Sequence, residues 1–204
     1  MRERAFTRST VVLASIIVAL AAWPAPAAAD VLISNHPGND GTYTSLNGAG
    51  GSIDSKAVGF TMPAGTDYFL DQVTLRMRIT DPANDPYVAI WSDVGGSPTS
   101  ELIVLTNPTF TAGIIGDYVF TPPSQFTLVA SQTYWVMVYN QSAGADSVHW
   151  MASSPGQAPS GSASHVGYLF SFTLPPPTGT SSTFNTYILE GTLVPVELMT
   201  FTVE

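Results

Sequence analysis

Pro86-Tyr-Val-Ala-Ile-Trp-Ser-Asp-Val-Gly-Gly-Ser-Pro-Thr-Ser-Glu-Leu-Ile-Val-Leu105 sets two apolar runs, Tyr87–Trp91 and Leu102–Leu105, on either side of a polar connection. Both runs are rich in the β-branched and aromatic residues that suit a pleated, half-buried surface. The connection, Ser92–Glu101, carries Gly95-Gly96, which reach positive φ without strain, and Pro98, which fixes φ. The stretch therefore predicts a strand, a structured loop and a second strand within an all-β domain.

Working outward, Phe69–Thr80 alternates cleanly. Val73, Leu75, Met77 and Ile79 share one face, while Gln72, Thr74, Arg76 and Arg78 share the other. That period of two marks a strand with one buried and one wet face. Asp81–Pro86 reads as a tight turn that would pair residues 69–80 with 86–92 as an antiparallel hairpin. Towards the N-terminus, Val31–Ser34 is a short strand, Asn35–Gly51 a long Gly/Asn-rich loop, and Lys56–Met62 the next strand. Towards the C-terminus, Asp117–Thr121 and Phe126–Val129 lead into Thr133–Asn140, an apolar run typical of a strand covered on both faces. Ser147–Ala152 is expected to pair with it, and Ser153–Ser164 to be loop. Tyr168–Thr173 and Asn185–Leu193 are the last strands. About ten short strands with turn signals every 8–12 residues predict an antiparallel β-sandwich, with a jelly roll as the specific expectation.

The first 29 residues read as a secretory signal: basic Arg2, Arg4 and Arg8, an apolar run Val11–Trp23, and small Ala27-Ala28-Ala29 before the cleavage point. The run is short for a spanning helix, so no membrane span is expected after cleavage. The sandwich domain is then expected over 30–193, with 194–204 a short connector or strand without an anchor. Losing the signal leaves Lys56, Arg76 and Arg78 against 14 acidic residues, a net charge of −11. So few cations cannot neutralise a phosphate backbone, which excludes nucleic acid as a partner. Cysteine is absent, which removes thiol nucleophiles, zinc-thiolate sites and disulfides.

With the strands placed, the chain resembles the bacterial choice-of-anchor secreted proteins, of the choice-of-anchor R type. The resemblance is carried by Val31-Leu32-Ile33-Ser34-Asn35, by Phe69-Leu70-Asp71-Gln72-Val73-Thr74-Leu75, and by Val88-Ala89-Ile90-Trp91-Ser92-Asp93 with Gly96-Ser97-Pro98 and Leu102. Its last element is Leu128-Val129-Ala130-Ser131-Gln132-Thr133-Tyr134-Trp135-Val136. It implies an exported β-sandwich whose homologues carry various C-terminal sorting signals, and it implies no established activity. Here Val194-Pro195-Val196-Glu197-Leu198-Met199-Thr200-Phe201 looks like the connector before such a signal, and the expectation is of a connector without an anchor. Release into the medium is expected over attachment, with cell-surface association as the alternative.

No catalytic motif stands out. A Gly-x-Ser-x-Gly elbow is missing, and His36, His149 and His165 belong to no paired metal motif. Asp81, Asn84 and Asp85 form an oxygen-rich loop of the kind calcium accepts, although any Pro-bounded turn contains the same residues. Tyr87 and Trp91 point away from a core face that takes Val88 and Ile90, so they are candidates for stacking on sugar rings. The plainer reading is that a loop or sheet covers Trp91, and Trp135 and Trp150 read as core. The expected function is a non-enzymatic structural or adhesive role at or beyond the cell surface, extending to self-association by strand addition. The alternative is a carbohydrate-binding, lectin-like module, so the expected partners are a second copy, extracellular matrix or a glycan.

Overall fold

The computed structural model describes residues 28–47, 55–81, 84–141, 147–172 and 175–195. The expected signal up to residue 27 and the tail from 196 onward lie outside the described residues. The first strands are β1 (Asp30–Ser34), β2 (Thr42–Asn47), β3 (Ser55–Thr61), β4 (Tyr68–Ile79), β5 (Pro86–Asp93), β6 (Pro98–Val104) and β7 (Ile115–Phe120). After them come β8 (Thr127–Leu128), β9 (Thr133–Asn140), β10 (Ser147–Ala152), β11 (Ser160–Gly161), β12 (Ser164–Ser171), β13 (Gly179–Thr180) and β14 (Tyr187–Leu193). Among the described residues no helix is long and apolar enough to cross a membrane.

Eight strands form a jelly roll by nested antiparallel pairing: β5 with β6, β4 with β7, β3 with β9, and β1 with β14. Folding this nest over joins β14 to β4 and β9 to β5. The two layers then read β1-β14-β4-β7 and β3-β9-β5-β6. Further strands extend both layers to sheets of eight and six. β14 takes Tyr68–Leu75 on one edge of β4, while β10 takes Met77–Ile79 and carries β2 beyond it. β12 and β13 extend the six-stranded sheet outside β3.

The inward faces interdigitate as one core that includes Val58, Phe60, Val73, Leu75, Met77, Ile79, Val88, Ile90, Val136, Val138 and Trp150. The alternation read along β4 is thus the alternation between core and surface. The β5–β6 turn is tighter than the sequence suggested. Val94 N–H donates to Ser97 O at 3.0 Å, and Gly95 and Gly96 take the positive φ values of 65° and 82°. Only the middle of the expected loop, Val94–Ser97, is turn: Ser92 and Asp93 still belong to β5, and β6 begins at Pro98.

Several expectations about pairing are corrected. β4 and β5 lie in different sheets, so the segment between them is a corner rather than a hairpin turn. Its Asn84 is buried and accepts from Asn140 Nδ2 of β9 at 3.3 Å, which ties the corner to the second sheet. β10 does not pair with β9, because β3 and β5 already occupy both edges of β9. The expected loop 35–51 contains β2, which becomes an edge strand along β10. The described residues form fourteen strands against the expected ten or so, because β2, β11 and β13 fall in stretches that read as loop, the last two as two-residue ladders.

Candidate functional site

β3 turns Lys56, Val58 and Phe60 to the inside and Ala57 to the outside. Lys56 is the only lysine in the chain, and it is 1% exposed at the end of that inward row. Its ammonium donates to Thr44 Oγ1 at 3.0 Å, to Ser181 Oγ at 2.8 Å and to Thr183 O at 3.0 Å. The rings of Tyr168 and Phe170 lie 5.5 and 6.0 Å from Nζ, within reach of a cation–π attraction. Among the described residues no carboxylate reaches it. Three neutral acceptors replace water only in part, and burial pulls the lysine down to about 7.

Above Lys56 opens a cleft of about 320 Å³ lined by Tyr43, Thr44, Ser45, Phe170, Phe172, Ser181 and Thr183. The edge strand β2 supplies one wall; the end of β12 and the 181–183 segment supply the other. Tyr43 is 50% and Phe172 70% exposed. Among the described residues these are the only aromatic side chains in the exposed class, and both line this cleft. Each ring is held from behind: Tyr43 stacks on His149 at 4.1 Å, and Phe172 meets Phe170 edge-on at 4.7 Å. Exposed apolar rings beside hydroxyls and one cation make a concave surface suited to an amphipathic, hydroxyl-rich ligand.

The floor is fixed by a buried polar network. Thr44 Oγ1 accepts from Lys56 and donates to Asn185 Oδ1 at 3.1 Å; Asn185 Nδ2 donates to Trp150 O at 2.6 Å. The Asn185 carbonyl accepts from Tyr168 OH at 2.7 Å and from Asn35 Nδ2 at 3.1 Å. One asparagine thus ties both sheets together beneath the cleft. Sequence reasoning missed this site. Its signal was a lysine at an inward position of an otherwise apolar strand.

The stacking candidates Tyr87 and Trp91 do face outward from the six-stranded sheet. Tyr87 stacks on Tyr139 at 4.6 Å, and its hydroxyl donates to Glu101. Trp91 packs against a second cluster of Ala57, Trp135, Met137 and Leu169. Trp135 is buried as expected but belongs to this outer cluster, with its indole N–H on Asp93 Oδ1 at 2.8 Å. Its ring lies over Gly59, where an added Cβ would sit 2.8 Å from ring carbons. Tyr87 and Trp91 are both half-buried, whereas Tyr43 and Phe172 are exposed.

The oxygen-rich corner is likewise engaged. Asp81 O accepts from Asn84 N at 3.0 Å, Asn84 Nδ2 donates to Thr80 Oγ1 at 3.2 Å, and Asp85 Oδ1 accepts from Asn107 Nδ2 at 2.9 Å. Among the described residues no group of three or more His, Cys, Asp or Glu side chains is placed to hold a metal ion. On the other sheet, Arg76 Nη2 meets Asp40 at 2.8 Å and Nη1 meets Asp117 at 3.2 Å, with His36 Nε2 on Asp117 at 3.2 Å. The hydrogen bond to Asp40 is the main reason the guanidinium is held still more firmly protonated than usual. This cluster fastens the β1–β2 segment onto β4 and β7. Comparison of the chain with protein-family models and with curated proteins finds no match.

Proposed function

We propose that the chain is an exported, non-enzymatic β-sandwich module with an adhesive role, and that it holds a glycan in the cleft between Tyr43 and Phe172. The observation that carries this reading is that the two exposed aromatic side chains converge on one concave site floored by hydroxyls and a lysine. Sugars present apolar C–H faces and many hydroxyls, and such a surface complements both. Export rests on the signal pattern of residues 1–29, and the choice-of-anchor resemblance points the same way. A glycan array read with the wild type, Tyr43→Ala, Phe172→Ala and Trp91→Ala tests the site. Binding lost in the first two variants and kept in the third supports it; loss only in Trp91→Ala moves the site to the outer face of the six-stranded sheet.

A second reading, self-association by strand addition, is favoured by β6. It is the terminal strand of its sheet and exposes Leu102 at 44% and Val104 at 37%. An open apolar edge is a template for another strand. By contrast β1 lies between β14 and β11 within its own sheet. Light scattering of wild type against Leu102→Lys checks this: assembly that the variant abolishes supports it, and a monomer at high concentration contradicts it.

A further inference from the structure

The chain has one lysine, and it stands where an apolar side chain would close the core. Removing an ammonium from water without a counter-charge is unfavourable, and apolar residues of similar volume often replace buried charges with a gain in stability. Thr44, Ser181 and Thr183 offer Nζ only neutral dipoles. Among the described residues the titratable and charged groups around it are Tyr168 on β12, Tyr43 on β2, and behind Tyr43 His149 and Arg78 of β10 and β4, with no carboxylate among them. Arg76 is already engaged by two aspartates. Among the described residues, then, the Lys56 ammonium has neutral hydrogen-bond acceptors and no counter-charge.

We propose that the ligand brings that charge: a glycan bearing a single carboxylate, as a uronic acid in an otherwise neutral chain, anchored on Lys56 Nζ. This rests on the glycan reading above and narrows it. One cation in the cleft matches one carboxylate, and the net charge of −9 on the full chain repels densely charged polyanions. Ser181 is half-exposed at the mouth, 2.8 Å from Nζ. A carboxylate oxygen takes its place on the ammonium, and the freed Ser181 hydroxyl turns to donate to the same carboxylate. Hydrogen bonds between two ionised groups are the stronger class, which gives the acid its advantage over a neutral analogue. The sugar ring then lies against Tyr43 or Phe172.

A single lysine makes the test direct, because chain labelled with 13C-lysine gives one side-chain signal. The probes are the methyl glycosides of glucuronic, galacturonic and mannuronic acid, each beside its neutral methyl ester, titrated at pH 6 and pH 9. At least one acid should bind tenfold or more tightly than its ester at pH 6, shift the Lys56 signal, and raise the pH at which that signal titrates. At pH 9 that advantage should fall about tenfold or more, because the free amine has lost the proton that attracts the carboxylate. Lys56→Met should abolish the preference for acid over ester at both pH values, so that the two forms bind alike. Equal binding of acid and ester with a stationary Lys56 signal overturns the carboxylate inference and leaves the glycan reading standing. Binding of neither form overturns both.

Discussion

Raising the pH from 7 to 9.5 should stabilise this protein, against the usual weakening of an acidic chain in base. The perturbation acts on Lys56, whose folded value is about 7 against the ordinary 10.5. Between those values the unfolded chain binds more protons than the folded one, so stability rises with pH. The penalty is complete below pH 7 and fades as the pH approaches 10.5. From pH 7 to 9.5 the calculated gain is about 3 kcal/mol, with a limiting slope of about 1.4 kcal/mol per pH unit. The window closes near pH 10 because burial raises Tyr168 and Tyr187, so the folded state keeps phenol protons that the unfolded state releases. Lys56→Met removes the titrating group at similar length, so its profile should be flat, and below pH 7 it should be the more stable chain. The assay is urea unfolding followed by tryptophan fluorescence across the pH series, with the m-value checked for constancy. A flat wild-type profile, or the same slope in Lys56→Met, would refute the reasoning, since the three acceptors would then hold the ammonium as well as water does.

Leu75→Asp should prevent folding, a loss above about 4 kcal/mol, because it places an unpaired charge in the core. Arg76→Asp, next along β4, should be milder yet not silent: it breaks the contacts to Asp40 and Asp117 and adds a third carboxylate, for about 2 kcal/mol after solvent screening. Equal losses for the two in thermal unfolding would mean that the inward and outward faces of β4 are misassigned. Gly59→Ala should cost about 1–3 kcal/mol and change the near-ultraviolet circular dichroism, because the new methyl displaces the Trp135 ring; an unchanged spectrum and Tm would contradict that contact. Millimolar calcium should leave Tm unchanged, since Asn84 and Asp85 are already bonded to Thr80, Asn140 and Asn107. A rise of several degrees would restore the corner as a cation site.

The sandwich was legible because its signals are local. Alternation along β4, the apolar run of β9 and the glycines between β5 and β6 each report a strand or a turn without reference to a partner. Which strands meet is not local. The segment from Thr80 to Pro86 has the composition of a hairpin turn, yet it crosses between sheets, because the same alternation on β4 and β5 serves a hairpin or a corner equally. β10 looked like the partner of β9 by proximity in sequence, and only occupancy of both β9 edges decides otherwise. The cleft was hidden for the same reason. Tyr43 lay in an expected loop, Phe172 closed an expected strand, and Lys56 carried no motif. Only the folded chain brings β2, β3 and the end of β12 together. Tyr87 and Trp91 were correctly read as outward, but their half-burial follows from neighbours on β6, β9 and β12 that the sequence does not order.

The most direct measurement is a crystal structure of the protein soaked with the oligosaccharide that binds best on the glycan array. Electron density for a sugar ring against Tyr43 or Phe172, with an oxygen within hydrogen-bond distance of Lys56 Nζ, is the predicted result. Density against Tyr87 and Trp91 instead, with the Lys56 cleft filled by water alone, would contradict it.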